Sequence, residues 1–162
     1  MQKYKTPLII ANLLLVLAFV NFSIVKKEQT ISSGELVLLE LAPLDPRSLM
    51  QGDYMALRYK IAVDSVGDAL PKHGYCVVKL DANHVATRAR LQATEQPLNA
   101  GEFLIKFKTV NGWDMQLGAE SFFFEEGQAE KFSAAKYGAL RIDDGGNSVL
   151  VGMYDGNLKK IE

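Results

Sequence analysis

A single cysteine, Cys76, stands among 162 residues. No internal disulfide can form, and no cysteine-rich zinc site can be assembled. Histidine is almost as scarce. A Ser-His-Asp triad could use His73 or His84 alone, and neither sits in a recognisable catalytic setting. The pair His73-x-x-Cys76 has no second half, so the three or four ligands of a metal site are missing. No glycine-rich phosphate loop and no dinucleotide fingerprint occurs, and no cofactor is expected. An excess of one charge is also lacking. Eighteen Lys and Arg face nineteen Asp and Glu, for a net charge of −1. That removes the basic footprint of a nucleic-acid binder. Apolar residues at 48% and charged residues at 23% exclude a disordered chain. The length suits one folded domain with a core of its own.

What is present is unevenly spread. Pro7 to Val25 (PLIIANLLLVLAFVNFSIV) carries no charge. Nineteen residues at 1.5 Å each span about 28 Å, close to the ~30 Å hydrocarbon core of a bilayer. The run is longer than the h-region of a cleaved signal and lacks an A-x-A ending, so it is read as a retained single-span anchor. It is apolar all round, unlike an amphipathic surface helix. Lys3, Lys5 and the amino terminus flank one end; Lys26 and Lys27, followed by Glu28, flank the other. The positive-inside rule then places residues 1–6 in the cytoplasm, 7–25 in the inner membrane, 26–34 in a linker and 35–162 in the periplasm. Asn12 and Asn21 offer polar handles for helix–helix contact. From residue 27 onward fifteen bases oppose nineteen acids. A domain with that net charge of −4 is not expected to cling to phosphate backbones or anionic lipid heads.

The remaining pattern is of strands separated by turns. Glu35 to Ala42 is a strand candidate, broken by Pro43-Leu44-Asp45-Pro46-Arg47. Tyr54 to Val63 alternates, with Met55, Leu57, Tyr59, Ile61 and Val63 on one face. Tyr75 to Leu80 and His84 to Leu91 form a hairpin, the latter setting Val85, Thr87, Ala89 and Leu91 opposite Arg88 and Arg90. Glu102 to Val110 alternates, and Asn111-Gly112 turns it back into Trp113 to Leu117. Ser121 to Phe124 follows. Glu125 to Tyr137 shifts to a helical period and is closed by Gly138. Leu140 to Ile142 and Val149 to Met153 are the last strands, joined by the turn Asp143 to Asn147. The expected fold is mainly β, an antiparallel sheet or small barrel with one short helix, preceded by a transmembrane helix. Within Phe122-Phe123-Phe124, Phe123 faces away from its neighbours and needs cover from the short helix or from a partner.

Gly52-Asp53-Tyr54-Met55-Ala56-Leu57-Arg58-Tyr59 fits G-D-Y-x-x-L-x-Y at every fixed position. The chain resembles the GDYXXLXY family of bacterial membrane-anchored proteins. Phe122 to Gly127, Ala135 to Arg141 and Val149 to Gly152 are similar to that family's closing block. The resemblance spans residues 35–160. It implies no enzyme class. Because members tend to be encoded beside multi-span membrane proteins, it implies a partner of that kind.

From the residues alone, the motif reads first as architecture. Gly52 permits a turn, Asp53 caps it, and Leu57 and Tyr59 enter the core. A functional site would gather Asp53, Tyr54 and Arg58 with Glu126 and Arg141 of the closing block. Ser48 before the motif and Lys60 after it loosely resemble the serine–lysine pair of signal peptidases, but lack their Ser-Met dipeptide and their spacing. Cys76, in an apolar strand, reads as an inert buried thiol. The expected function is a non-catalytic binding or accessory module. The rivals are a peptidase-like hydrolase and a binder of small ligands or envelope polymer.

Overall fold

The computed structural model describes residues 5–42, 54–63, 70–111 and 114–162. Helix α1 (Lys5–Ser33) contains a segment, Pro7–Ser33, long and apolar enough to cross a membrane. Its apolar side chains are exposed, and Asn21 donates its side-chain amide to Leu17 O of the same helix at 2.8 Å. The stretch 26–34 read as a linker is helical to Ser33. Thr30 and Ser33 hydroxyls donate to the carbonyls of Lys26 and Gln29, one turn back, and Gly34 N–H closes on Thr30 O.

Among the described residues, ten strands follow with two short helices. Strands β1 (Glu35–Glu40), β8 (Tyr137–Ile142), β9 (Ser148–Tyr154) and β10 (Lys160–Ile161) form one antiparallel sheet in that order. Strands β4 (Ala86–Gln92), β3 (His73–Leu80), β5 (Glu102–Val110) and β6 (Asp114–Gln116) form a second. Strands β2 (Tyr54–Ala56) and β7 (Ser121–Phe123) make a two-stranded ribbon. Single hydrogen bonds stitch the two sheets together, Leu38 N–H to His84 O and Lys106 N–H to Gly146 O, while Leu57 N–H to Glu120 O extends the ribbon, each 2.8 Å. The curved sheets enclose one core, in which Val37, Leu39, Tyr59, Cys76, Val78, Ile105, Leu140 and Met153 are nearly solvent-free.

The mainly β architecture is as expected, with four local corrections. The strand expected over Tyr54 to Val63 stops at Ala56. Alternation persists only through Tyr59, and α2 (Lys60–Val63) then buries the neighbours Ile61 and Ala62 together, as a helical turn can and a strand facing water cannot. The helix expected over Glu125 to Tyr137 shrinks to α3 (Ala129–Phe132), and Gly138 lies inside β8 instead of capping it. There a Cβ would come within 3.0 Å of the Tyr59 ring. In β4 the facing is reversed: Ala86 is buried and Arg88 and Arg90 are half-buried, while Thr87 and Ala89 are exposed. The inward arginines are satisfied, Arg88 by Ile61 O at 3.1 Å and Arg90 by Glu102. Strand β10 had no periodic signal at two residues.

Candidate functional site

Gly52 and Asp53 lie outside the described residues, as does Ser48. From Tyr54 on, the motif divides by side. Leu57 and Tyr59 are buried, as expected from the architectural reading. The Tyr59 hydroxyl donates to Ala119 O at 2.6 Å. Burial, and then the Glu120 charge, push its pKa far up, so it stays a neutral donor. Arg58 is exposed, and its carbonyl accepts from Ala42 N–H. Tyr54 points outward. It pairs across the ribbon with Phe123, ring centroids 5.8 Å apart.

Phe123 is 73% exposed and Tyr54 42%. The other side of the ribbon is covered: Phe132 of α3 stands 4.9 Å from Phe122 and 5.4 Å from Phe124. The short helix therefore shields Phe122 and Phe124 and leaves Phe123 bare. Among the described residues, β2 and β7 pair with each other alone.

Beside the motif opens a cleft of about 240 Å³, lined in part by Leu57, Arg58, Ala62, Asp114, Met115 and Glu120. Glu120 is committed to structure, because its carboxylate accepts the N–H groups of Leu117 and Gly118. Its small size suits the cleft to a side chain better than to a large ligand.

Glu126 and Arg141 do not join this cleft. Glu126 is exposed in the loop after β7. Arg141 belongs to β8, across from Leu36, and donates to Gly34 O at 2.8 Å, just past the end of α1. The Asp53–Arg141 pairing falls outside the described residues on its Asp53 side. Lys60 forms an exposed ion pair with Glu40 at 3.1 Å. His84 meets Glu35 at 3.3 Å on the surface, and His73 is exposed. Cys76 is wholly buried, and burial, partly countered by Arg88, pushes its thiol up to about 12. It is an inert thiol at neutral pH. Among the described residues, no three His, Cys, Asp or Glu side chains are placed to hold a metal.

Two polar clusters make contacts that the sequence reading did not reach. Glu102 is nearly buried. It accepts from Arg90 at 2.8 Å through both oxygens, and from Asn99 N–H and side-chain amide at 3.0 and 3.2 Å. The Asn99 backbone bond and then the arginine hold its pKa down at about 2. The second cluster is the Asp143–Asn147 turn. Burial pushes Asp143 up, but bonds from Asn147, Gly145 N–H and Thr30 outweigh it and hold the carboxyl below its usual range. Thr30 is 113 residues from its partner Asp143, so no local pattern announces the contact.

The chain matches the model of a family described as GDYXXLXY protein over residues 16–153. It belongs to that family. No curated protein and no solved structure matches it.

Proposed function

We propose that this GDYXXLXY family member is a membrane-anchored accessory module, non-catalytic, whose β domain docks on a multi-span membrane protein. In this reading α1 is a retained anchor in the bacterial inner membrane, and residues 35–162 lie in the periplasm. The observation that carries it is the bare aromatic pair Tyr54–Phe123 on a ribbon whose opposite side is covered by Phe132. Exposed aromatics ringed by polar surface are typical of binding hot spots. The motif string thus has two sides by geometry: Leu57 and Tyr59 enter the core, and Tyr54 faces outward. The hydrolase alternative gains no support from Lys60, which is engaged by Glu40.

The test is a mild-detergent pull-down of the tagged full-length protein, read by mass spectrometry. A second arm carries Tyr54→Ser and Phe123→Ser. The expected result is a stoichiometric multi-span protein in the first arm and recovery lower by about tenfold in the second. A preparation free of such a protein, or equal recovery in both arms, overturns the reading.

A further inference from the structure

A second surface lies at the foot of the anchor. A cleft of about 320 Å³ opens between α1 and the second sheet, and its lining includes Lys27, Lys106, Lys108, Gln116, Asn147 and Ser148. Lys106 and Lys108 alternate on one face of β5, so both ammonium groups leave the same side of the sheet. Lys106 is steadied by Asn147 Oδ1 at 3.1 Å and lies 5.9 Å from the centre of the Tyr75 ring. Lys27 reaches Ser148 O at 3.5 Å. Among the described residues, none of the three lysines forms an ion pair. The nearby carboxylate of Asp143 is occupied by Asn147 and Thr30.

Height decides what meets this cleft. Lys27 stands two residues, about 3 Å of helix rise, beyond the last residue of the apolar run. That is the headgroup layer of the leaflet on the domain's side. The domain follows directly, because α1 remains helical to Ser33 and packs on β8 and β9. We infer that the cleft binds the phosphodiester headgroup of an anionic phospholipid from that leaflet, held by Lys27, Lys106 and Lys108. The inference rests on α1 being a retained anchor. It also revises the expectation drawn from a net charge of −4, since the acids are spread over the domain while these three bases converge at the bilayer surface.

The experiment places the full-length protein in nanodiscs of phosphatidylcholine with spin-labelled phosphatidylglycerol or spin-labelled phosphatidylcholine. The readout is the fraction of each label immobilised by the protein. The expected result is a preference for phosphatidylglycerol that falls about fivefold for each of Lys106→Gln and Lys108→Gln. It stays unchanged in Lys159→Gln and is retained in Lys106→Arg. Ten millimolar inorganic phosphate leaves the preference in place, whereas displacement by it would show a free-phosphate site and overturn the lipid assignment. Equal immobilisation of both lipids, or a preference untouched by the two glutamine variants, also overturns it. Failure of the protein to enter nanodiscs overturns the anchor itself and the inference with it.

Discussion

The junction of α1 with the domain and the motif ribbon are built on opposite principles. At the junction, polar groups interlock. Thr30 is buried and bonds Asp143, Arg141 reaches Gly34 O, and Gly34 N–H closes α1. A Cβ on Gly34 would collide with Thr30 O and approach Ile142 O to 2.7 Å. At the ribbon, rings do the packing and one ring is left in water. Directional hydrogen bonds tie the helix to the domain, while the ribbon leaves apolar surface exposed. Breaking each in turn should give different signatures.

The largest effect is expected where the motif enters the core. Tyr59→Ala removes a buried ring and its bond to Ala119 O, and should cost about 3–5 kcal/mol in urea unfolding of the detergent-solubilised protein. Tyr59→Phe should cost about 1–3 kcal/mol, since it leaves a buried carbonyl without its donor. An alanine variant that melts like the parent would remove Tyr59 from the core. At the junction, Gly34→Ala must displace backbone on both sides, and about 1–3 kcal/mol is expected. Amide exchange should then quicken in the Asp143–Asn147 turn and stay unchanged at β7. Equal quickening in both places would mean that junction and ribbon unfold as one unit.

The sequence disclosed most of the strands because period-two burial is a local signal. Glu102 to Val110 shows it well: Ile105 and Phe107 are buried and Lys106 and Lys108 exposed. It misled at Tyr54 to Val63, because alternation through Tyr59 looks the same whether the chain then continues or coils. It misled at β4 because arginine was taken as a surface residue, whereas Arg90 turns inward to a carboxylate twelve residues away. Leu57 and Tyr59 were legible as core from their spacing. Arg141 was not legible as a junction residue, since its partner Gly34 is 107 residues distant and offers a backbone carbonyl. Arg141 does not meet the described part of the motif for the same reason: residues close in a pattern need not be close in a sheet order.

Acid should separate the second sheet from both regions. Glu102 has a folded pKa of about 2 against an ordinary 4.5. A depressed carboxyl contributes stability that is fully present above the unfolded value and lost as pH falls through the folded one. The loop bonded through Asn99 and Arg90 should therefore hold at pH 5 and loosen between pH 4.5 and 2. Exchange at Asn99 N–H reports it directly. In Glu102→Gln that pH dependence should vanish, because glutamine does not titrate, and a wild-type-like acid transition there would assign it to another group.

The smallest effect on stability is expected at the most exposed ring. Phe123 gives up little water on folding, so Phe123→Ser should shift the unfolding midpoint by no more than about 0.5 kcal/mol. Among the described residues its only ring partner is Tyr54, and a tilted pair at 5.8 Å is worth roughly 0.5–1.5 kcal/mol beyond area when both rings are well buried, less when water reaches them. Tyr54→Ser should be equally mild, and the double variant no worse than the sum of the two, because each single change already removes the contact. The comparison sharpens here. A residue that is nearly silent in unfolding yet costs about tenfold in partner recovery belongs to an interface. One that costs 2 kcal/mol or more in unfolding and nothing in recovery belongs to the core. The proposed function expects Phe123 to be of the first kind, and burial puts Tyr59 in the second, although the motif that names the family holds Tyr59 and only the ring that Phe123 leans on.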